Sequence, residues 1–241
     1  MGKNLIQQRR GRGTLRFKAP SFNYIGKVKY RKFDDKEQEV VKGKIMDIVN
    51  CAGHSAPLLK VQFDTKENCL FIAPEGVAVN DAIESGTKAQ PINGNILPLK
   101  NIPEGSFIYN LELMPGDGGK LIRTAGSSAR LVSKLESGET IVKLPSKKNL
   151  TLSGDCRATI GVIAGGGRKE KPFVKAANKR FAFRAKNRFY PTVSGVSMNP
   201  INHPFGCGRG RHKGRKTIPR KGAPPGAKVG LIRAKRTGHQ R

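Results

Sequence analysis

Apolar and polar positions alternate along the middle of the chain. Between residues 34 and 165, short apolar runs separated by turn residues predict strands at 40–49, 58–63, 69–73, 77–83, 95–99, 106–113, 120–125, 129–135, 140–144, 150–153 and 158–163. Turns recur roughly every 8–12 residues, the spacing of small sandwiches and barrels. The run Ser106–Leu113 shows the pattern best: Phe107, Tyr109, Leu111 and Leu113 share one face at period two, and Asn110 and Glu112 take the other. Turn residues supply the punctuation: Pro74-Glu75-Gly76, Pro103-Glu104-Gly105, Pro115-Gly116-Asp117-Gly118-Gly119 and Ser137-Gly138. No 3.6-residue period is sustained here, so the middle reads as all-β. A span of this length suits two small barrels better than one large one. The turn-rich, charge-poor stretch Gly86–Leu97 places their boundary near residue 88.

Beyond Gly165 the alternation stops. From Lys171 to Arg241 there are nineteen Lys or Arg and no acid, and only 16 of the 71 residues are V, I, L, M, F, Y or C. That is too little apolar surface to offset the entropy of ordering the segment alone, so an extended arm is expected. One short helix is predicted near Val174–Lys186, where AANKRFAFRAK holds good helix formers. The predicted organisation is a basic N-terminal arm over 1–33, a first barrel over 34–87, a second over 88–170, and a basic C-terminal arm over 171–241.

Charge sharpens this division. The chain carries 46 Lys+Arg and 17 Asp+Glu, a formal +29. Residues 1–32 hold ten basic groups and no acid; residues 33–164 hold fifteen basic and sixteen acidic; residues 165–241 hold twenty-one basic groups and one acid, Glu170. Two cationic arms around a near-neutral body call for a polyanionic partner. A membrane fits poorly, because no apolar run approaches ~18 residues. Met1–Arg16 has no apolar signal region; a transit peptide would suit residues 1–32 but would leave the C-terminal arm unexplained. Four cysteines (Cys51, Cys69, Cys156, Cys207) without a CxxC pair fit a reduced, cytoplasmic protein. Aromatics are only 6%, so the cores must be small and mostly aliphatic.

The stretch Lys179–Tyr190 interleaves cations with Phe181, Phe183, Phe189 and Tyr190. Two readings are open: the rings stack on unpaired bases, or they pack against the second barrel. The glycine run Gly165-Gly166-Gly167 before Arg168 and Lys169 lacks the GxxxxGK[ST] pattern of a nucleotide-hydrolysing loop; close backbone contact with RNA, or a hinge, fits it better. His203, Cys207 and His212 lie within ten residues, but no fourth ligand is near for a tetrahedral zinc site. His203 as a general base lacks an orienting carboxylate, since the arm has no Asp or Glu. The sixteen body acids read as ordinary solvated residues. No enzyme, metal site or cofactor is expected.

The expected RNA contacts are Arg9, Arg10, Arg12 and Arg16 in the first arm, and Arg168 and Lys169 at the exit from the second barrel. The cation–aromatic stretch adds Lys179, Arg180, Arg184, Lys186 and Arg188. The last arm adds Asn199, Asn202, His203, Arg209, Arg211, Lys213, Arg215, Arg220, Arg233 and Arg236.

The stretch Gly195-Val196-Ser197-Met198-Asn199-Pro200-Ile201-Asn202-His203-Pro204-Phe205-Gly206 resembles the GVAMNPxxHPxGG signature of the universal large ribosomal subunit protein L-two family. Further matches follow in order: Leu97–Gly105, Pro115–Gly119 with Ala125-Gly126, Arg157–Gly161, Lys228–Ile232 and Arg236-Thr237-Gly238. The start, Gln7–Thr14, and the ending resemble the archaeal and eukaryotic branch, and the compact length points to an archaeon. The resemblance implies an OB-like barrel, then an SH3-like barrel, with both tails threaded into 23S-type rRNA. It also implies other ribosomal proteins as neighbours, the small subunit at the inter-subunit face, and support of tRNA binding and the peptidyl-transferase region. Two positions depart from the family: Asn202 stands where many relatives have an acid, and Cys207 where Gly is usual.

Overall fold

Residues with β-branched, aromatic and leucine side chains alternating with polar ones pair into ten strands in the computed structural model, which describes residues 2–32, 40–206 and 213–230. The chain divides into two compact units, Ser21–Phe173 and a second made of Met1–Pro20 with Val174–Arg241. The first unit holds all ten strands: β1 (Val41–Val49), β2 (Leu58–Phe63), β3 (Asn68–Ile72), β4 (Ala82–Ser85), β5 (Ile96–Pro98), β6 (Phe107–Tyr109), β7 (Ala129–Lys134), β8 (Glu139–Lys143), β9 (Asn149–Ser153) and β10 (Arg157–Ile160). Their order is β3-β2-β1-β4-β5-β10-β6-β7-β8-β9, and every pairing is antiparallel except Ser85↔Ile96 between β4 and β5. The all-β class therefore holds, with an OB-like barrel followed by an SH3-like one.

Alternation assigns each side chain to a core. Ile45, Leu59, Val61, Phe63, Phe71 and Ile83 fill the first, and Leu97, Leu99, Ile108, Leu131, Val142 and Ala158 the second. Strand β5 serves both, because Ile96 faces the first core and its neighbour Leu97 the second. A third cluster, including Val28, Leu58, Ile72, Tyr109 and Ile163, joins β2 and β3 to β6. Each fully buried aliphatic side chain here contributes about 1.5–3 kcal/mol.

The structure departs from the sequence pattern at four places. Strand β4 starts later than the predicted 77–83, because Asn80 takes φ 77° and the Asp81 carboxylate accepts the Ala78 amide, making a turn. The predicted 120–125 strand is reduced to one bridge, Leu111↔Leu121, with Ile122 at φ 54°. The 106–113 strand ends at Tyr109, since Asn110 at φ 50° breaks the alternation. Leu113, beyond the break, is exposed, as is Phe107 at the start of β6, while Asn110 and Glu112 are 1% and 0% exposed. Finally, Ser21–Arg31, expected within the N-terminal arm, belongs to the strand-bearing unit, where Val28, Tyr30 and Arg31 are buried.

Glu112, which alternation assigns to solvent, is instead fully buried and multiply hydrogen-bonded. Its carboxylate accepts the amides of Gly116 (3.3 Å), Gly118 (2.8 Å) and Arg157 (2.9 Å), and the Arg157 guanidinium at 2.9 Å. Arg157 donates onward to the Arg31 carbonyl at 3.0 Å, and its guanidinium lies 5.3 Å from the Tyr30 ring centre. The Tyr30 hydroxyl donates to the Asn110 carbonyl (2.7 Å), leaving Thr159 Oγ1 to donate back to it. The turn Pro115–Gly119, β10 and the 28–31 segment thus share one buried polar network.

Two outcomes follow. Glu112→Ala leaves the Arg157 charge buried without its partner and should cost about 3–5 kcal/mol in urea unfolding of the full chain. Burial raises the Tyr30 hydroxyl well above its ordinary value, and burial does the same for Tyr109. Both stay protonated in the fold while the unfolded chain ionises above about 10. Their contribution is therefore complete below that pH and is lost as pH rises past it. Unfolding midpoints measured from pH 8 to 12 should fall above 10, and fall less steeply in Tyr30→Phe; equal slopes would contradict this.

Candidate nucleic-acid interface

The second unit contains twenty-four Lys and Arg and no Asp or Glu. No side-chain ion pair with an acid of its own is available to it. The body shows the opposite pattern, with Lys60–Asp47, Lys100–Asp155, Arg31–Glu67 and Arg157–Glu112 all paired. Nothing within the arm unit screens its cations, so they are held ready for an external polyanion.

Short helices place several of the expected residues. Helix α1 (Ile6–Gly11) carries Arg9 and Arg10, with Arg12 as its C-cap and Arg16 in the following 3₁₀ turn, Leu15–Phe17. Its start is fixed by Gln8, whose side-chain oxygen accepts the Leu5 amide at 2.8 Å, and by burial of Leu5. Helix α2 (Ala176–Arg184) lies inside the span predicted for it and carries Lys179, Arg180 and Arg184. Arg180 and Arg184 are four residues apart and exposed on one helix face, which costs about 0.2–0.5 kcal/mol until an anion lies between them. Exposed Phe181 stands beside them.

The two arms meet, which the sequence reading did not foresee. Lys3 donates its amide to the Ile201 carbonyl at 2.7 Å, and Arg10 Nη2 donates to the Asn187 carbonyl at 3.3 Å. Phe17 packs edge-on against Phe189 at 5.5 Å, with the Arg10 guanidinium 5.0 Å over Phe189. Lys179 Nζ sits 4.9 Å from the Tyr190 ring centre, and Tyr190 meets Phe183 at 5.8 Å. The rings of the 179–190 stretch other than Phe181 thus find partners inside the arm unit, as half-buried platforms for cations. Phe17 was missed, although Arg16 and Lys18 flank it in the same cation–aromatic pattern. Lys186 and Arg188 follow α2, with Lys186 half-buried and Arg188 exposed.

The 195–206 stretch forms a tight loop. The Asn199 carbonyl accepts the amides of Asn202 (2.9 Å) and His203 (3.3 Å), and the His203 carbonyl accepts the Gly206 amide (2.9 Å). Two glycines are required by contact: a Cβ on Gly195 would stand 2.3–2.6 Å from the His203 ring, and one on Gly206 would stand 2.5 Å from the Met198 and Asn199 carbonyl oxygens. His203 Nδ1 accepts the Phe205 amide at 3.0 Å, which places the ring proton on Nε2. Burial lowers the His203 pKa, so the ring is neutral near pH 7 and offers Nε2–H as a donor. Asn199 and Asn202 are exposed beside it. Lys213 Nζ lies 5.8 Å over the Phe205 ring, and exposed Arg215 and Arg220 border a concavity floored by Phe205, Pro219 and Ala223.

Arg168 and Lys169 belong to the body unit, both exposed, with Arg168 donating to the Ser55 carbonyl. The preceding glycine run packs on its own chain: a Cβ on Gly126 would stand 2.6 Å from Gly166 Cα. Arg209, Arg211, Arg233 and Arg236, with Cys207 and His212, lie outside the described residues.

Comparison with known proteins gives a consistent answer. A family described as "Ribosomal Proteins L2, C-terminal domain" matches residues 92–222. The large ribosomal subunit protein uL2 of Methanocaldococcus jannaschii is 52% identical over 240 residues, covering 99% of each chain. Proteins of the same name from Methanothermobacter thermautotrophicus and Methanococcus maripaludis are 49% and 48% identical, each over 100% of both chains.

The backbone oxygens facing Gly206 cannot move away as a side chain could. Gly206→Ala should loosen the loop and expose the backbone amide at position 206, read as faster hydrogen exchange there, while unfolding of the strand-bearing unit is unchanged.

Proposed function

The chain belongs to the L2 family of large ribosomal subunit proteins, of archaeal type, and from that premise we propose that it is a structural constituent of that subunit whose arm unit binds 23S-type rRNA. The observation that carries this reading is the arm unit's twenty-four cations without one acid. Such a unit repels itself until phosphates replace its counterions, and the release of those ions supplies the driving force. Arg9, Arg10, Arg12, Arg180, Arg184 and Arg188 neutralise phosphates, Phe181 offers a stacking face, and His203 donates a hydrogen bond through Nε2. The remaining expected cations of the arms act in the same way.

The protein works in the cytoplasm by binding, without turnover of its own. His203 has no carboxylate in its unit to raise its basicity, and its Nδ1 already accepts an amide. Family membership supports the finer roles: support of subunit association, of tRNA binding and of the peptidyl-transferase region, with other ribosomal proteins and the small subunit as neighbours.

The test is binding of the full chain, and of a chain lacking residues 165–241, to large-subunit rRNA and to random duplex DNA across a salt series. For ~10 phosphate contacts the slope of log affinity against log salt should be about −7 to −9. The truncated chain should bind more weakly with a shallower slope. Equal binding to both nucleic acids, vanishing together with salt, would leave only a generic polycation. In assembled ribosomes, His203→Ala should retain peptide-bond formation; its abolition with normal assembly would point to chemistry at His203.

A further inference from the structure

Four stretches of the strand-bearing unit hold no Lys or Arg: residues 67–87, 89–99, 101–119 and 158–167. They hold seven acids: Glu67, Glu75, Asp81, Glu84, Glu104, Glu112 and Asp117. The fold brings a short piece of each to one surface concavity of about 460 Å³, whose lining includes Glu75, Asn93, Phe107 and Ile160–Val162. In a chain of formal charge +29, a phosphate placed here would meet one carboxylate and no cation in the lining.

The floor of the concavity is fixed by hydrogen bonds between the four stretches. The Glu75 amide donates to the Val162 carbonyl at 2.8 Å, and Asn93 Nδ2 donates to the Glu75 carbonyl at 2.7 Å. The Gly94 amide donates to the Ile160 carbonyl at 2.9 Å, and the Gly161 amide to the Phe107 carbonyl at 2.8 Å. Gly161 takes φ 117°, and a Cβ on it would overlap the Asn93 side chain, so glycine is what lets Asn93 lie across the floor. Two side chains stand on this floor without a partner. Phe107 is 54% exposed and makes no ring or cation contact among the described residues. Glu75 is exposed and makes no ion pair among the described residues. Alternation assigns Phe107 to a core, yet its ring stays in water beside Ile160 and Val162, apolar surface that a partner would cover.

We propose that this concavity is a protein-docking face that takes an arginine from an extended basic segment of a neighbouring protein. The guanidinium pairs with the Glu75 carboxylate while its plane lies on the Phe107 ring. A planar, weakly hydrated cation makes that combination better than an ammonium does. The inference rests on the ribosomal reading above for where the neighbour is met, and adds to it a face and a chemistry. Charge complementarity selects the occupant. RNA would set phosphates against Glu75 with no cation in the lining, and the same face of a second copy would set carboxylate against carboxylate.

The test places the photoreactive side chain benzoylphenylalanine at Phe107 and, separately, at Ile92, which is 56% exposed and precedes Asn93. Both positions are exposed, so the fold should persist, and matching urea midpoints of the free chains confirm it. Large subunits are purified from cells making each chain, irradiated, and the linked residues mapped; either position alone decides the outcome. The expected link is to a protein segment with an Arg at or next to the linked residue. Glu75→Arg should cut its yield about fivefold or more, because like charges then face each other. The control Asp64→Arg, at an exposed acid outside the concavity, should leave the yield unchanged. Links to rRNA alone, no link, a linked segment without Arg, or an unchanged yield in Glu75→Arg would overturn the proposal and leave the ribosomal reading standing. Absence of the unsubstituted chain from large subunits would overturn both.

Discussion

The buried pair of Glu112 and Arg157 is the constraint on which the body depends. Removing two charges from water is costly, and a Coulombic contact alone often does not offset it. Here the carboxylate also accepts three backbone amides, and the guanidinium reaches a backbone carbonyl and the Tyr30 ring. Those partners lie on three separate pieces of chain. The pair therefore specifies where a glycine-rich turn, a short strand and an extended segment meet, a task that nondirectional apolar packing performs poorly. The Pro115–Gly119 turn owes its shape to this carboxylate.

Charge is then divided between the two units. The body, unlike the arm unit, carries acids with which Arg31, Lys60, Lys100 and Arg157 pair, and its stability comes from three aliphatic cores and one polar network. The arm unit has few buried apolar side chains among its described residues, chiefly Leu5, Phe205 and Ala223. Its order is coupled to whatever supplies negative charge, because a ligand that binds only the ordered form stabilises it in proportion to its affinity.

Much of this was legible in the sequence. Period-two alternation located most strands, and the good helix formers near residue 180 located α2. What alternation could not show was a residue taken off its face by a left-handed backbone: Asn110 turns the chain, and Glu112 enters the interior with the same local pattern as a solvated acid. The meeting of the arms was illegible for another reason. Contacts such as Phe17 with Phe189 join segments far apart in a polycationic background, where no periodicity marks a partner. The candidate interface was read from charge, which is additive along a sequence, so its residues were named more easily than their geometry.

The hydrogen bond from Arg10 to Asn187 spans 177 residues. A ribosome adding about 5–20 residues per second needs roughly 10–35 s to make the second partner after the first. For most of that interval the N-terminal arm is a bare cationic tether, while the strands between can already be closing. The newborn chain therefore presents a hook for nucleic acid well before it owns a finished clasp.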